Sequence, residues 1–160
     1  MIAVIAAYTT ERVIGNKGRI PWKIPGEQKR FRQLSLGNVV IMGRKTYEEI
    51  GHPLHDRINI VISNTVEFKG SNLYTAHSLS EAVSMFPEKD IYIAGGAMLY
   101  KEAIPISDVL YITEIHASFA GDTFFPKFNP DDYIKEESGH YEESIPYTYL
   151  TYIKRSSTEG

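Results

Sequence analysis

Residues 39–51 read VVIMGRKTYEEIG, and the order of residue types within this stretch decides the expected fold. The first four residues are apolar and mostly β-branched, which is typical of a strand buried on both faces. A short helix is predicted over residues 46–50, and Gly51 ends it. A buried strand that leads directly into a helix is the repeating unit of a parallel sheet.

The same alternation of strand and helix recurs along the chain. Further buried strands are predicted over residues 3–7, 58–62, 91–94 and 109–115. Helices are predicted over residues 27–36, 78–86 and 97–104, the second of which opens with a capping box at residues 78–81. In the first of these helices Phe31 and Leu34 share one side, with Leu36 as a further candidate. Pro105 is expected to end the last helix.

The C-terminal part has a different pattern, because residues 133–141 and 148–154 alternate in polarity with no helix between them. They predict an antiparallel hairpin at the edge of the sheet. The expected fold class is therefore α/β. We expect a single domain over residues 1–160, with a mainly parallel central sheet, flanking helices and a C-terminal antiparallel hairpin.

Composition excludes several kinds of protein. The 160 residues contain no cysteine, which rules out disulfides, thiolate metal ligands and a cysteine nucleophile. A net charge of −3 argues against a general nucleic-acid binder, and the five histidines lack metal-ligand spacing, so we expect no metal. The apolar N-terminal run is far shorter than the roughly 20 residues that span a bilayer. The expectation is a cytoplasmic protein without a membrane partner.

Two strand ends carry residues suited to phosphate groups. Gly43, Arg44, Lys45 and Thr46 lie where a strand passes into a helix, and free N–H groups beside two cations favour an anion. The segment 93–97, which contains the pair Gly95 and Gly96, has the same architecture. Each motif alone could equally be an ordinary strand–helix turn, but ligands of open α/β sheets bind at such strand ends.

Three other features are open to two readings. Glu27 is either a first-turn acid that favours the helix dipole or, beside Phe31 and Trp22, a ligand for a flat heterocycle. Arg57 is either a solvated charge or a fork for a carboxylate. Residues 9–24 form a long loop, which could be a lid or a simple surface connection.

Taken together, these motifs resemble dihydrofolate reductase. The resemblance covers residues 1–154 in order and with the family's spacing. It includes VIG at 13–15, IPW at 20–22, VIMGRKTYE at 40–48, IGxPL at 50–54, Arg57, Gly95-Gly96 and GDTxFP at 121–126.

The resemblance implies a substrate site for dihydrofolate and for antifolates. Glu27 would pair with the pterin, Thr113 would support that acid, and Trp22 would hold a water beside it. Arg57 would bind the α-carboxylate of the substrate's glutamate tail. The other residues implied on the substrate side are Ile5, Ala6, Gln28, Phe31, Ile50, Leu54, Ala94 and Tyr100.

The resemblance also implies NADPH as cofactor, and a cis peptide bond between Gly95 and Gly96. Residues 9–24 would form a mobile lid, braced by the turn around Gly121 and Asp122. The cofactor residues implied are Ala7, Ile14, Gly15, Ile20, Gly43, Arg44, Lys45, Thr46, Ser63, Asn64, His77, Gly95, Gly96, Ala97, Met98 and Leu99.

The activity implied is reduction of 7,8-dihydrofolate to tetrahydrofolate by a monomer, in tetrahydrofolate biosynthesis and one-carbon metabolism. Two rivals remain: another NADPH-dependent pterin or pyrimidine reductase on this fold, and a non-catalytic folate- or nucleotide-binding module. Glu27 stands where many bacterial members have Asp, and the triplet at 26–28 is similar to that of some acquired trimethoprim-insensitive enzymes. Reduced trimethoprim sensitivity, a form of antibiotic resistance, is therefore expected.

Overall fold

The computed structural model of the chain describes residues 1–22, 24 and 28–156. Of the residues singled out in the sequence, Glu27 lies outside this described part. Among the described residues, no helix is both long enough and apolar enough to cross a bilayer.

The described residues form ten strands and four α-helices. The strands are β1 (Ile2–Thr9), β2 (Val13–Gly15), β3 (Val39–Gly43), β4 (Ile58–Ile62), β5 (Leu73–Ala76), β6 (Ile91–Ile93), β7 (Val109–Ile115), β8 (Thr123–Phe124), β9 (Tyr133–Tyr141) and β10 (Tyr147–Lys154). The helices are α1 (Lys29–Ser35), α2 (Arg44–Ile50), α3 (Leu79–Ser84) and α4 (Ala97–Ala103), and short 3-10 turns cover Ile104–Ile106 and Pro130–Asp132.

Eight strands form one sheet in the order β5-β4-β3-β6-β1-β7-β10-β9. Every pairing from β5 to β7 is parallel, whereas β10 pairs antiparallel with both β7 and β9. The predicted fold class, a mainly parallel sheet with an antiparallel hairpin at its edge, is confirmed. Strands β2 and β8 form a separate two-stranded sheet, which the sequence analysis did not predict.

The predicted bounds agree closely with the structure for several elements. Strands β4, β7 and β9 have the predicted bounds, and Ser78 caps α3 as the capping box predicts, its Oγ accepting from the Glu81 N–H at 3.1 Å. The assignment of Leu36 to the buried side of α1 is wrong, because this side chain is 41% exposed. The helix ends at Ser35. Leu36 already has an extended ψ of 130°, and Gly37, with φ of 77°, completes the turn away from the sheet, so Leu36 does not continue the buried side of the helix.

The helices cover both faces of the sheet. From β1, Val4, Ala6 and Tyr8 pack in the core cluster that contains Leu99 and Tyr100 of α4. Ala3 and Ile5, which point to the opposite face, pack in the cluster that includes Phe31 and Leu34 of α1. Fully burying one such aliphatic side chain contributes about 1.5 to 3 kcal/mol. Strand β1 therefore anchors two helical layers and lies between two possible ligand surfaces.

Candidate active site

The two glycine-bearing strand ends lie side by side. Gly43, which precedes α2, donates its N–H to the carbonyl of Gly95 at 2.8 Å, and Gly96 precedes α4. The Gly95–Gly96 bond is cis, as predicted. A Cβ on Gly43 would lie 3.7 Å from the Gly95 carbonyl oxygen, and one on Gly96 would lie 3.6 Å from the Thr46 Oγ1. Close contact between the two backbones brings the starts of α2 and α4 together at the carboxyl ends of β3 and β6.

A groove of about 650 Å³ opens at these strand ends. Most residues that the resemblance assigns to the cofactor line it, namely Ile14, Gly15, Gly43, Arg44, Lys45, Thr46, Ser63, Asn64, Gly96, Ala97, Met98 and Leu99. Ala7, Ile20, His77 and Gly95 do not line it. Ile20 instead lines an adjoining cavity of about 710 Å³ that shares Lys45 with the groove. His77 is exposed and donates its backbone N–H to Glu81.

The β4 side of the groove is polar and ordered by its own hydrogen bonds. The buried Ser63 Oγ accepts from the N–H groups of Thr65 and Val66, which shapes the turn after β4. The Arg44 guanidinium donates to the Thr65 Oγ1 at 3.2 Å and lies 3.7 Å from the Glu48 carboxylate. Two cations, Arg44 and Lys45, thus lie beside several hydroxyl and amide groups, an arrangement that suits phosphate.

Apolar residues assigned to the substrate lie together on the α1 face of the sheet. Phe31 and Ala94 pack both with the cluster of Ile5 and with the cluster that includes Ile50 and Leu54. Phe31, Ile50, Leu54 and Ala94 are only partly buried, so apolar surface remains open to a ligand. Ala6 is the exception, because its side chain lies on the opposite face.

Arg57 lies next to this apolar surface. Its side chain is only 9% exposed, and it donates from Nε to the His55 carbonyl at 2.9 Å and from a terminal nitrogen to the Ser35 Oγ at 3.3 Å. Its guanidinium carbon lies 5.8 Å from the centre of the Phe31 ring. Burial lowers the pKa of Arg57, and the nearby Arg32 charge lowers it further. The Asp56 charge offsets part of this lowering, but no carboxylate lies within 4 Å of Arg57 among the described residues, so a carboxylate ligand would supply a direct counter-charge.

The remaining substrate-side residues surround the ends of β1 and β7. Thr113, which is 6% exposed, stands opposite Ala7 in the parallel register. Trp22 packs in a cluster with Ile24, Ile115 and Ala7. The Tyr100 hydroxyl reaches across from α4 and donates to the Ile5 carbonyl at 2.9 Å. Gln28 is exposed at the cap of α1.

The long loop over residues 9–24 is held against the groove at three points. The Lys17 N–H donates to the Asp122 carboxylate at 3.0 Å, and the Asp122 N–H donates to the Gly15 carbonyl at 3.1 Å. The Ile20 N–H donates to the Glu49 carboxylate at 3.1 Å. The bond from Lys17, followed by one from Thr123, lowers the pKa of Asp122. The predicted contact between this loop and the turn at Gly121 and Asp122 is present.

Sequence reasoning missed several residues of the groove. Gly18, Arg19, Glu49, Ile62, Thr65, Glu102 and Thr123 also line it. Two of these missed residues are acids, on a surface otherwise suited to anions. The only signal that could have found Glu102 is helical spacing, since it lies four residues after Met98 on α4.

A family model described as dihydrofolate reductase matches residues 1–154 of the chain. The chain belongs to the dihydrofolate reductase family. It is 40% identical to dihydrofolate reductase type A13 from Escherichia coli, over 97% of this chain and 95% of that protein. It is 36% identical to the dihydrofolate reductase of Bacillus subtilis strain 168, over 100% of this chain and 98% of that protein.

The fold is similar to a solved dihydrofolate reductase from Enterococcus faecalis, described as complexed with NADP(H) and RAB-propyl. The TM-score is 0.85 and the sequence identity 32%, over 98% of this chain and 97% of that one. As a member of this family the chain is an NADPH-dependent oxidoreductase that reduces dihydrofolate. The family assignment made from sequence motifs is therefore confirmed.

Proposed function

We propose that the residues assembled here reduce 7,8-dihydrofolate to 5,6,7,8-tetrahydrofolate, in a cytoplasmic monomer that binds neither nucleic acid nor membrane. One observation supports dividing the site into two halves, the apolar surface as the substrate half and the polar groove as the cofactor half. Ala94 belongs to the apolar surface with Phe31, whereas Gly96, two residues later, lines the polar groove. A ligand in each half would therefore meet its neighbour at a single strand end.

The groove fits NADPH in size and in chemistry. Arg44 and Lys45 supply positive charge, and Thr46, Ser63, Asn64 and Thr65 supply hydroxyl and amide groups for phosphate and ribose oxygens. The glycines at 43 and 96 let backbone approach the ligand without a side chain between them. Glu49 and Glu102 oppose an anionic cofactor, so the preference for NADPH over NADH rests on Arg44 and Lys45.

The apolar half fits a flat heterocycle joined to a carboxylate-bearing tail. Phe31, Ile50 and Leu54 would contact the ring system, with Ile5 and Ala94 at the inner end. Arg57 would bind the α-carboxylate through its forked guanidinium, which stacks over Phe31. Gln28 and Tyr100 would complete the substrate side, Tyr100 by fixing the Ile5 carbonyl through its hydroxyl.

Bound NADPH supplies a hydride, so that C6 of dihydrofolate is reduced while N5 takes a proton. The chain's own residues orient the substrate and exclude water from the apolar half. Glu27 would pair with the pterin and favour the protonated ring, with Thr113 and a water held at Trp22 beside it. Because we assign no second acid to this half, activity should fall through a single apparent pKa as the pH rises.

The test is a spectrophotometric assay of NADPH oxidation with dihydrofolate. The wild-type chain should turn over, and Glu27→Gln should fold normally while losing most turnover at neutral pH. Glu88→Gln, at an exposed position in the described structure, is the matched control and should keep full activity. Near-normal turnover of Glu27→Gln would remove this acid from the mechanism. A wild-type chain that binds dihydrofolate without oxidising NADPH would support a binding module instead.

We also propose reduced sensitivity to trimethoprim. The support is the Glu27 and Gln28 pair, together with 40% identity to an enzyme named dihydrofolate reductase type A13. Inhibition by trimethoprim should be measured beside a sensitive bacterial reductase under the same conditions. Equal potency against both enzymes would contradict the proposal.

A further inference from the structure

Arg30 crosses from α1 to the sheet and contacts several strands at once. One terminal nitrogen donates to the Leu150 carbonyl at 2.8 Å and to the Ile112 carbonyl at 3.2 Å. The other donates to the hydroxyls of Thr151 and Ser138. The guanidinium carbon lies 5.1 Å from the centres of the Tyr111 and Tyr149 rings alike. One side chain thus joins α1 to three strands, β7, β9 and β10.

The position of this contact is set by an irregularity in the hairpin. The register between β9 and β10 shifts between Tyr149 and Leu150, so that Gly139 faces Tyr149 while Glu137 faces Leu150. Ser138 is left without a paired residue, and its hydroxyl lies 3.1 Å from that of Thr151. The guanidinium fork binds beside this bulge and donates to two carbonyls and two hydroxyls, a pattern that a compact ammonium group could not match.

Arg30 lies at the border of the proposed substrate half. Tyr111 stands opposite Ile5 in the parallel register, and Thr113 stands opposite both Ala7 and Tyr149. The two rings beneath Arg30 therefore flank Thr113 on the same face of the sheet. The next residue along α1 is Phe31, which packs, as Tyr111 does, against the buried cluster that contains Ile5. Because the Arg30 side chain joins α1 to the sheet, its extent sets the distance between α1 and the strands that carry Ile5 and Thr113.

We propose that Arg30 is a positioning residue of the substrate site, which holds Phe31 of α1 at the correct distance from Ile5 and Thr113. The proposal rests on the proposed function, because it takes these three residues as the substrate half. The cofactor half should be independent of Arg30, because no described residue of α1 lines the groove. Its lining comes from the 9–24 loop, β3, α2, β4 and the turn after it, α4 with the preceding Gly96, and β8.

The test compares Arg30→Met, Arg30→Lys and the control Lys29→Met in steady-state kinetics. Arg30→Met should raise the KM for dihydrofolate about tenfold and leave the KM for NADPH within about twofold of wild type, because a displacement of α1 affects one ligand only. Arg30→Lys keeps the charge without the fork and should lie between. Lys29→Met, one residue earlier on the exposed side of α1, should match the wild type.

The two KM values also separate positioning from a loss of folding. A sample with a misfolded fraction has a lower kcat but an unchanged KM, so destabilisation cannot imitate the expected result. Unchanged KM values for both ligands in Arg30→Met, or equal increases in both, would overturn the proposal. If the wild-type chain proves inactive, dihydrofolate binding measured by the fluorescence of Trp22, the single tryptophan, still tests Arg30 separately.

Discussion

Gly121 is the position where the smallest possible substitution should have a large effect. A Cβ placed there would lie 2.9 Å from the Gly15 carbonyl oxygen and 3.0 Å from Val13 Cγ2, and closer still to Val13 Cγ1. Val13 is only 2% exposed, so its side chain has no free space into which it could rotate. Gly121→Ala must therefore push β2 away from the turn at 121–122.

The cost can be estimated from the contacts that would change. Overpacking at a buried contact costs about 1 to 3 kcal/mol. Displacing β2 also weakens the bond from the Asp122 N–H to the Gly15 carbonyl, which contributes about 1 kcal/mol. The expected total is about 2 to 4 kcal/mol, or a decrease in Tm of roughly 5 to 12 °C for a chain of this length.

The assay is urea unfolding and thermal unfolding of Gly121→Ala beside Gly70→Ala. At Gly70 a Cβ would meet only Leu73, at 3.6 Å, which is ordinary contact, so the control should be within about 0.5 kcal/mol of wild type. Turnover of Gly121→Ala should also fall, because Gly15 lines the cofactor groove. Wild-type stability and turnover in Gly121→Ala would refute the reasoning.

Two further predictions concern the Ser78 cap of α3 and the Asp122 carboxylate, which binds the loop over residues 9–24. Ser78→Ala should lower the free energy of unfolding by about 1 kcal/mol, because the hydroxyl that caps α3 is lost; Ser80→Ala, inside the same helix, is the control, and equal stability of the two variants would contradict the assignment of the cap. The lowered pKa of Asp122 means that its carboxylate stabilises the fold above the unfolded pKa near 4 and loses this effect as the pH falls through the folded value. The urea midpoints of wild type and Asp122→Asn should therefore differ at pH 7 and draw together as the pH falls below the unfolded pKa, and a constant difference would exclude this linkage.

Continuous burial explains which parts of the fold could be predicted. Strands β4 and β7 are mostly apolar and contain no exposed residue, so residue type alone marks their ends. Strand β5 was missed because only Leu73 and Ala76 of its four residues are buried, which is too short a pattern to recognise. Strands β2 and β8 are two or three residues long and form only because the loop over residues 9–24 folds back on the turn at 121–122.

The residues of the site also fall into those that could be predicted from the sequence and those that could not. Residues on strand ends, such as Gly43 and Gly96, could be found because a parallel sheet fixes where its strands end. Glu49 and Thr65 could not, because they reach the groove through a loop contact and a turn that no periodicity encodes. Arg30 could not either, since the bulge that receives its guanidinium appears only when β9 pairs with β10.

The position of β1 in the sheet also constrains how the protein is made. Its parallel neighbours begin at Ile91 and Val109, so β1 pairs only with segments that are translated much later. Until β7 is available, Ile5 has no partner on that side, and the substrate half of the pocket is incomplete. A nascent chain that stops before residue 115 should therefore bind no dihydrofolate, and substrate-dependent protection of the growing chain can begin only when β7 has left the ribosome.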